Sequence, residues 1–297
     1  MRNEVAKIII NTAKNDERLF LVAGDAGLGL WDEFKQNQRQ YFNPGINEAC
    51  SIGFCAGLAL SGRKAIYYNI APFVLMRPYE QVRNDICYQE LPVILIAIGS
   101  GLTYAPSGIT HYAVEDIGLA LTLSNLQIFS PSDSIEARKS FEYAYKSDKP
   151  SYIRLTKAND PILHKQDIRD ITSLQIHLSG DSDCLIISHS VIINELFDIA
   201  KSLNITLASL PFINSNNIEN LNFMHKFKTI IVVEEHFNFG GLGSFLEYKL
   251  KRYVHKIGIK NHFIHEIGKQ DFLRKKFHLD KDSLEVTINK IIKDERC

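Results

Sequence analysis

Residues 91–99, LPVILIAIG, contain no polar side chain at all. A strand with no polar face must be covered on both sides, as strands are in a parallel sheet sandwiched between helices. The run is also far too short to span a bilayer. Similar short apolar runs lie at 20–23, 65–68, 127–129 and 152–154, and amphipathic stretches at 4–14, 48–60, 77–88, 115–123 and 134–146 separate them. That alternation predicts an α/β protein with mostly parallel strands. After Thr156 the chain turns polar, and KANDPILHKQDIRDITS reads as a connector. A second α/β unit follows, with strands expected at 184–188, 205–209 and 229–233 and helices at 190–203 and 241–254. We place the boundary at residue 165, giving units 1–165 and 166–297, each a mostly parallel sheet covered by helices. A chain of 297 residues is long enough for two such cores.

Charge narrows the function classes. With 34 basic and 34 acidic residues the chain is formally neutral, which argues against a general nucleic-acid binder and gives no pull toward an anionic membrane. The first twenty residues, MRNEVAKIIINTAKNDERLF, hold too short an apolar run for a signal peptide and too many charges for a span. Cysteines at 50, 55, 87, 184 and 297 form an odd set without a CxxC pair, so they suggest neither a disulfide framework nor a zinc site. A cytoplasmic globular protein is expected.

The chemistry concentrates in two places. In NPGINEACSIGFCAGLAL (43–60) the acid Glu48 opens a helical stretch in which Ala49, Gly53 and Gly57 share one face. Helix interiors normally avoid glycine, at about 1 kcal/mol relative to alanine, so this face invites a close neighbour. An acid at its mouth needs a partner or a proton if buried; exposed, it would simply be favoured by the helix dipole. The second place is SGLTYAPSGITHYAVED (100–116), the loop after the all-apolar strand, carrying His111, Glu115 and Asp116. In parallel sheets ligands gather at such carboxyl-end loops. Two glycine clusters, GDAGLGL and FGGLGS, match neither a P-loop nor a dinucleotide fingerprint and read as turn and close-packing glycines. The second of them also opens a helix whose N-terminal amides suit an anion.

Taken together, these segments resemble the transketolase family of thiamine-diphosphate enzymes, over the part that follows its diphosphate-binding domain and across nearly the whole chain. The resemblance implies that Glu48 hydrogen-bonds the aminopyrimidine ring of the cofactor. GITH (108–111) resembles the family's glycine–x–threonine–histidine motif, whose histidine faces the reacting carbons, so His111 would handle substrate protons. PFVLMRPYEQVRND (72–85) resembles the segment that packs an aromatic on the pyrimidine, with Phe73 the candidate and Tyr79 behind it. Asp25 sits in the family's post-strand acidic position, and VVEEHFNFGGLGS looks like the start of its C-terminal domain. Family members hold magnesium and the diphosphate with GDG and a later asparagine, and this sequence has no GDG. The resemblance therefore implies a split enzyme, in which a separate subunit carries the diphosphate and Mg2+ and the chains form a two-plus-two assembly.

The implied reaction is transfer of a two-carbon ketol unit from a ketose (phosphate) to an aldehyde. The serine, histidine and arginine that hold sugar phosphate in transketolases proper align with Gly29, Gly99 and Lys157, and an aspartate that reads a donor hydroxyl aligns with Ser107. Lys157 can still hold phosphate as a point charge, and Arg77 resembles a phosphate-binding arginine of deoxyxylulose-phosphate synthases. Three alternatives stand beside this reading. The beta chain of a 2-oxoacid decarboxylase would carry glutamine–histidine–serine where GITH stands. A deoxyxylulose-phosphate synthase would keep its diphosphate domain in the same chain. A non-catalytic dimerisation partner would have little need of Glu48 and His111.

Overall fold

The computed structural model describes residues 1–296 except 28, 37–38 and 158–159. Six strands form the first sheet: β1 (Leu19–Ala23), β2 (Tyr41–Phe42), β3 (Lys64–Ile70), β4 (Ile94–Ile98), β5 (Gln127–Phe129) and β6 (Ser151–Leu155). Their order is β2-β1-β3-β4-β6-β5, and every neighbouring pair is parallel. All five residues of β4 are buried, as its all-apolar sequence requires. The second sheet holds β7 (Gln175–Leu178), β8 (Cys184–Ser188), β9 (Thr206–Ser209), β10 (Thr229–Phe237) and β11 (His255–Ile259) in the order β11-β10-β8-β9-β7. Only β7, on the edge, runs antiparallel.

Three apolar layers hold the sheets. Helices Arg2–Asn15 and Ser134–Ser147 cover one face of the first sheet through Ile9, Phe141 and their neighbours. The outer face of the second sheet packs on Leu284 and Ile288 of helix Lys281–Arg296. The middle layer is continuous, joining Leu95 and Ala97 of the first sheet to Leu185, Ile187 and Val232 of the second.

Several sequence expectations need correction. The missed strands β2, β7 and β11 all lie at sheet edges, where one side is half-exposed and the apolar signal is weak. Strand β10 runs four residues beyond the predicted 233, because Glu234, Glu235 and His236 are buried polar residues that read as a loop. The helix expected at 77–88 starts instead at Pro72 and runs as π turns (Pro72–Met76 and Val82–Cys87) around a short α turn, Tyr79–Gln81. Pro78 has no N–H and its ring crowds the preceding turn, so the chain widens there and Arg77 bonds back to the Pro72 carbonyl. The expected helix at 190–203 is a 3-10 segment, Ser190–Leu196, followed by the α-helix Phe197–Ser202. Among the described residues no helix is long and apolar enough to cross a membrane.

Candidate active site

Parallel strands aim their carboxyl ends at one edge of the first sheet, and the sequence loads that edge with chemistry. Asp25 follows β1, Glu48 begins the helix after β2, Phe73 and Arg77 follow β3, His111 lies in the loop after β4, and Lys157 follows β6.

Glu48 is the first residue of helix Glu48–Leu60 and is only 5% exposed. The solvent-facing alternative for this acid is thereby excluded. Its partner is Arg77, whose Nη1 donates to Glu48 Oε1 at 2.7 Å. The same guanidinium lies over the Phe73 ring, 4.2 Å from its centroid. The π turn makes this possible by presenting residues 73 and 77 to one side. Phe73 in turn meets the His111 imidazole edge-on at 5.2 Å. His111 Nδ1 is 2.9 Å from Thr110 Oγ1, and the ring lies 6.1 Å from that of Tyr104, which carries Lys157 Nζ over its face at 4.4 Å. An acid, an aromatic face, an imidazole and two cations thus form one chain of contacts.

Burial, and then the nearby charge of Arg77, hold the His111 pKa below the ordinary histidine value. That shift favours the neutral imidazole, which can both accept and donate a proton. Replacing the arginine removes one of the two causes. In Arg77→Gln the His111 pKa is expected to rise, measured by NMR titration of the imidazole; an unchanged or lower value would refute the coupling.

Other sequence candidates lie elsewhere. Tyr79 bonds through its hydroxyl to Thr122 and not to Phe73. Asp25 and Ser107 are exposed, and among the described residues neither shares a hydrogen bond with Glu48, Arg77 or His111. Asp116 is fully buried and gripped by Arg154, so it is a structural group; Glu115 is half-buried, its carboxyl pushed up by burial and by Asp116. The glycines at FGGLGS serve close packing. The amides of Leu242 and Gly243 already hold an anion, the protein's own Glu234 carboxylate, at 2.8 and 3.0 Å. Leu28, within GDAGLGL, lies outside the described residues.

Three features escaped the sequence reading. The Glu48–Arg77 pair joins residues on different loops. Tyr104 fills the space at Gly99 (φ +98), where a Cβ would overlap the Tyr104 ring. The face of Ala49, Gly53 and Gly57 is exposed: among the described residues a Cβ on Gly57 would meet nothing within 4 Å, and one on Gly53 only Asp85 Oδ2 at 4.0 Å. A small-residue pattern records that close approach is allowed, not which molecule makes it.

The donors present fit one half of thiamine diphosphate. A planar, N–H-bearing cation already meets both the Glu48 carboxylate and the Phe73 ring, an acceptor and a stacking face of the kinds a flat nitrogen heterocycle uses. Among the described residues, the one set of His, Cys, Asp and Glu atoms close enough to share an ion is at Glu136, His164 and His177.

The two-sheet α/β chain gathers its polar cluster at the carboxyl edge of the parallel sheet, where folds of this class bind ligands. Comparison with known proteins agrees. The family described as "Transketolase, pyrimidine binding domain" matches residues 1–161. The chain is 30% identical to a subunit of the apulose-4-phosphate transketolase of Actinobacillus succinogenes, covering 96% of both chains. It is 26% identical to the 1-deoxy-D-xylulose-5-phosphate synthase of Mannheimia succiniciproducens, but spans only 47% of that longer protein. A split-gene transketolase, solved as an inactive beta4 tetramer, superposes with a TM-score of 0.84 at 24% identity over 97% of this chain and 96% of the other. The Campylobacter jejuni transketolase gives 0.85 at 18% identity, over 97% of this chain and 46% of its own. The chain belongs to the transketolase family. Homologues in this family are thiamine-diphosphate transferases.

Proposed function

We propose that this chain is the pyrimidine-side subunit of a split transketolase, working with a second chain that carries the GDG motif, the diphosphate site and Mg2+. The observation that carries the reading is the buried Glu48 carboxylate facing a flat nitrogen cation on the Phe73 ring. When bound, thiamine diphosphate supplies the stabilised carbanion needed to move a two-carbon ketol unit from a ketose (phosphate) to an aldehyde. The protein's share is orientation and proton control. Glu48 would accept a hydrogen bond from a ring nitrogen of the bound group, and so set the protonation of that nitrogen. Phe73 would give the ring a stacking face.

His111 works at the substrate. Thr110 engages its Nδ1, and Nε2 has no hydrogen-bond partner among the described residues. That nitrogen is free to take the proton from the donor hydroxyl that becomes the aldehyde carbonyl as the carbon–carbon bond breaks, a role worth ~10²–10⁴ in rate. Arg77, released from Glu48, offers a bidentate fork for a sugar phosphate beside the point charge of Lys157, with Ser107 at the loop mouth.

The names of two relatives support a split enzyme acting on a ketose phosphate, since each is called a subunit of an apulose-4-phosphate transketolase. The open face of Ala49, Gly53 and Gly57 beside Glu48 is where a second chain can approach, consistent with two-plus-two assembly. Binding tests the reading. Titrated by calorimetry with thiamine diphosphate and Mg2+, the purified chain alone is expected to bind weakly at best, and the chain reconstituted with its GDG-carrying partner tightly. Tight binding by the chain alone would overturn the split site.

A further inference from the structure

The geometry points to a divalent-metal site of the zinc class at Glu136, His164 and His177, outside the proposed active site. The three residues come from three separate segments. Glu136 is in the first turn of helix Ser134–Ser147, His164 is in the connector between β6 and β7, and His177 is on β7. Glu136 Oε1 lies 3.7 Å from His164 Nε2 and 3.9 Å from His177 Nε2, and all three atoms fall within 4.8 Å of one another. An ion with bonds of about 2.0–2.2 Å, tetrahedrally arranged, sets its ligand atoms roughly 3.3–3.6 Å apart. Small side-chain rotations close the difference.

The surroundings orient these atoms toward a common point. Asp133 caps the helix, and its Oδ2 accepts from the backbone amides of Leu163 and His164 at 2.9 and 3.0 Å. The same oxygen is 2.9 Å from His164 Nδ1, so Nδ1 carries the proton and donates. This is the carboxylate–histidine arrangement that stands behind metal-bound imidazoles. It leaves His164 Nε2 facing a buried carboxylate oxygen at 3.7 Å, a gap that a metal ion or a shared proton can fill. The Ser132 amide donates to the other oxygen of Glu136 at 2.6 Å, and Oε1 accepts from the Ser209 hydroxyl, a bond that an ion would share. The same hydroxyl accepts from His177 Nε2 at 2.8 Å, so a metal bound there would displace the Nε2 proton of His177 and leave Ser209 beside the fourth position.

Two imidazoles and one carboxylate suit zinc, cobalt or nickel better than magnesium. Glu136 is wholly buried, whereas the His164 side chain retains 12% exposure and leaves a way in. Such an ion would pin the connector and the edge of the second sheet to a helix of the first. The competing arrangement is a hydrogen-bonded bridge in which a shared proton supplies the positive charge.

Cobalt decides between them. The full-length chain, treated with chelator and dialysed, is titrated with Co2+ and then Zn2+. The expected result is one Co2+ per chain with the visible d–d bands of a four-coordinate site, displaced by Zn2+, and a thermal midpoint several degrees higher with Zn2+ than without. His164→Ala and His177→Ala should each lose the bands and the midpoint shift. A folded wild-type chain with neither bands nor a Zn2+-dependent midpoint would overturn the site. Bands that persist unchanged in both variants would do the same, by placing the ion elsewhere among the ten histidines. If a variant fails to fold, the wild-type titration decides alone.

Discussion

Glu48→Gln is expected to cut turnover of the assembled enzyme by a factor of ~10²–10⁴, the usual worth of a positioned proton-handling group, while leaving the chain folded. The two effects separate because Glu48 plays two parts. In the free chain it pairs with Arg77, whose side chain is 49% exposed. Pairs with one partner in water are worth about 0–1 kcal/mol, and glutamine keeps both the shape and an acceptor oxygen for the guanidinium. Stability therefore barely changes. The glutamine amide, however, cannot set the protonation of a ring nitrogen as a carboxylate does. The check is a steady-state assay of two-carbon transfer by the reconstituted pair, run beside a thermal melt of the variant. Turnover equal to wild type would remove the catalytic reading and leave the dimerisation partner in its place.

Some of this architecture is legible in the residues and some is not. The all-apolar run at 91–99 leads directly to β4 because a strand buried on both faces leaves no ambiguity of period. The helix at 48–60 is legible from its acidic start and small residues, and its bounds match Glu48–Leu60. Edge strands β2, β7 and β11 are not, since half-exposed strands such as Gln175–Leu178 mix polar and apolar residues. Pro78 is visible, but its consequence, a pair of π turns that puts the Arg77 cation on the Phe73 ring, depends on bonds that no spacing rule supplies. For the site, position on a carboxyl-end loop selects His111, the acid opening a small-residue helix selects Glu48, and only the family resemblance selects Phe73; the fold gathers them. The loop rule also selects Asp116, wrongly, because a polar residue that closes a loop and one that neutralises a buried arginine look alike in sequence. Only the position of Arg154, on another strand, tells them apart.

That arginine carries the other large expected effect. Arg154, on β6, is 1% exposed and meets the fully buried Asp116 with Nε at 2.8 Å and Nη2 at 3.1 Å. The Tyr152 hydroxyl adds a bond to the same carboxylate, and Nη2 also donates to the Ala113 carbonyl at 2.8 Å. Nη1 reaches Ser130 at 3.2 Å, and Ser130 in turn bonds His189 after β8. One side chain thus fastens the loop carrying His111 to the sheet and to the second unit. In Arg154→Met the carboxylate would stay buried with a single hydroxyl for company, a situation that costs about 3–5 kcal/mol out of the roughly 5–15 kcal/mol that hold a domain together. Urea unfolding should show that loss as a lower midpoint. The double variant Arg154→Met with Asp116→Leu should recover much of it, because the pair as a whole contributes less than the penalty of breaking it. A single variant as stable as wild type, or a double variant no better than the single, would mean that the buried pair does not hold the loop in place.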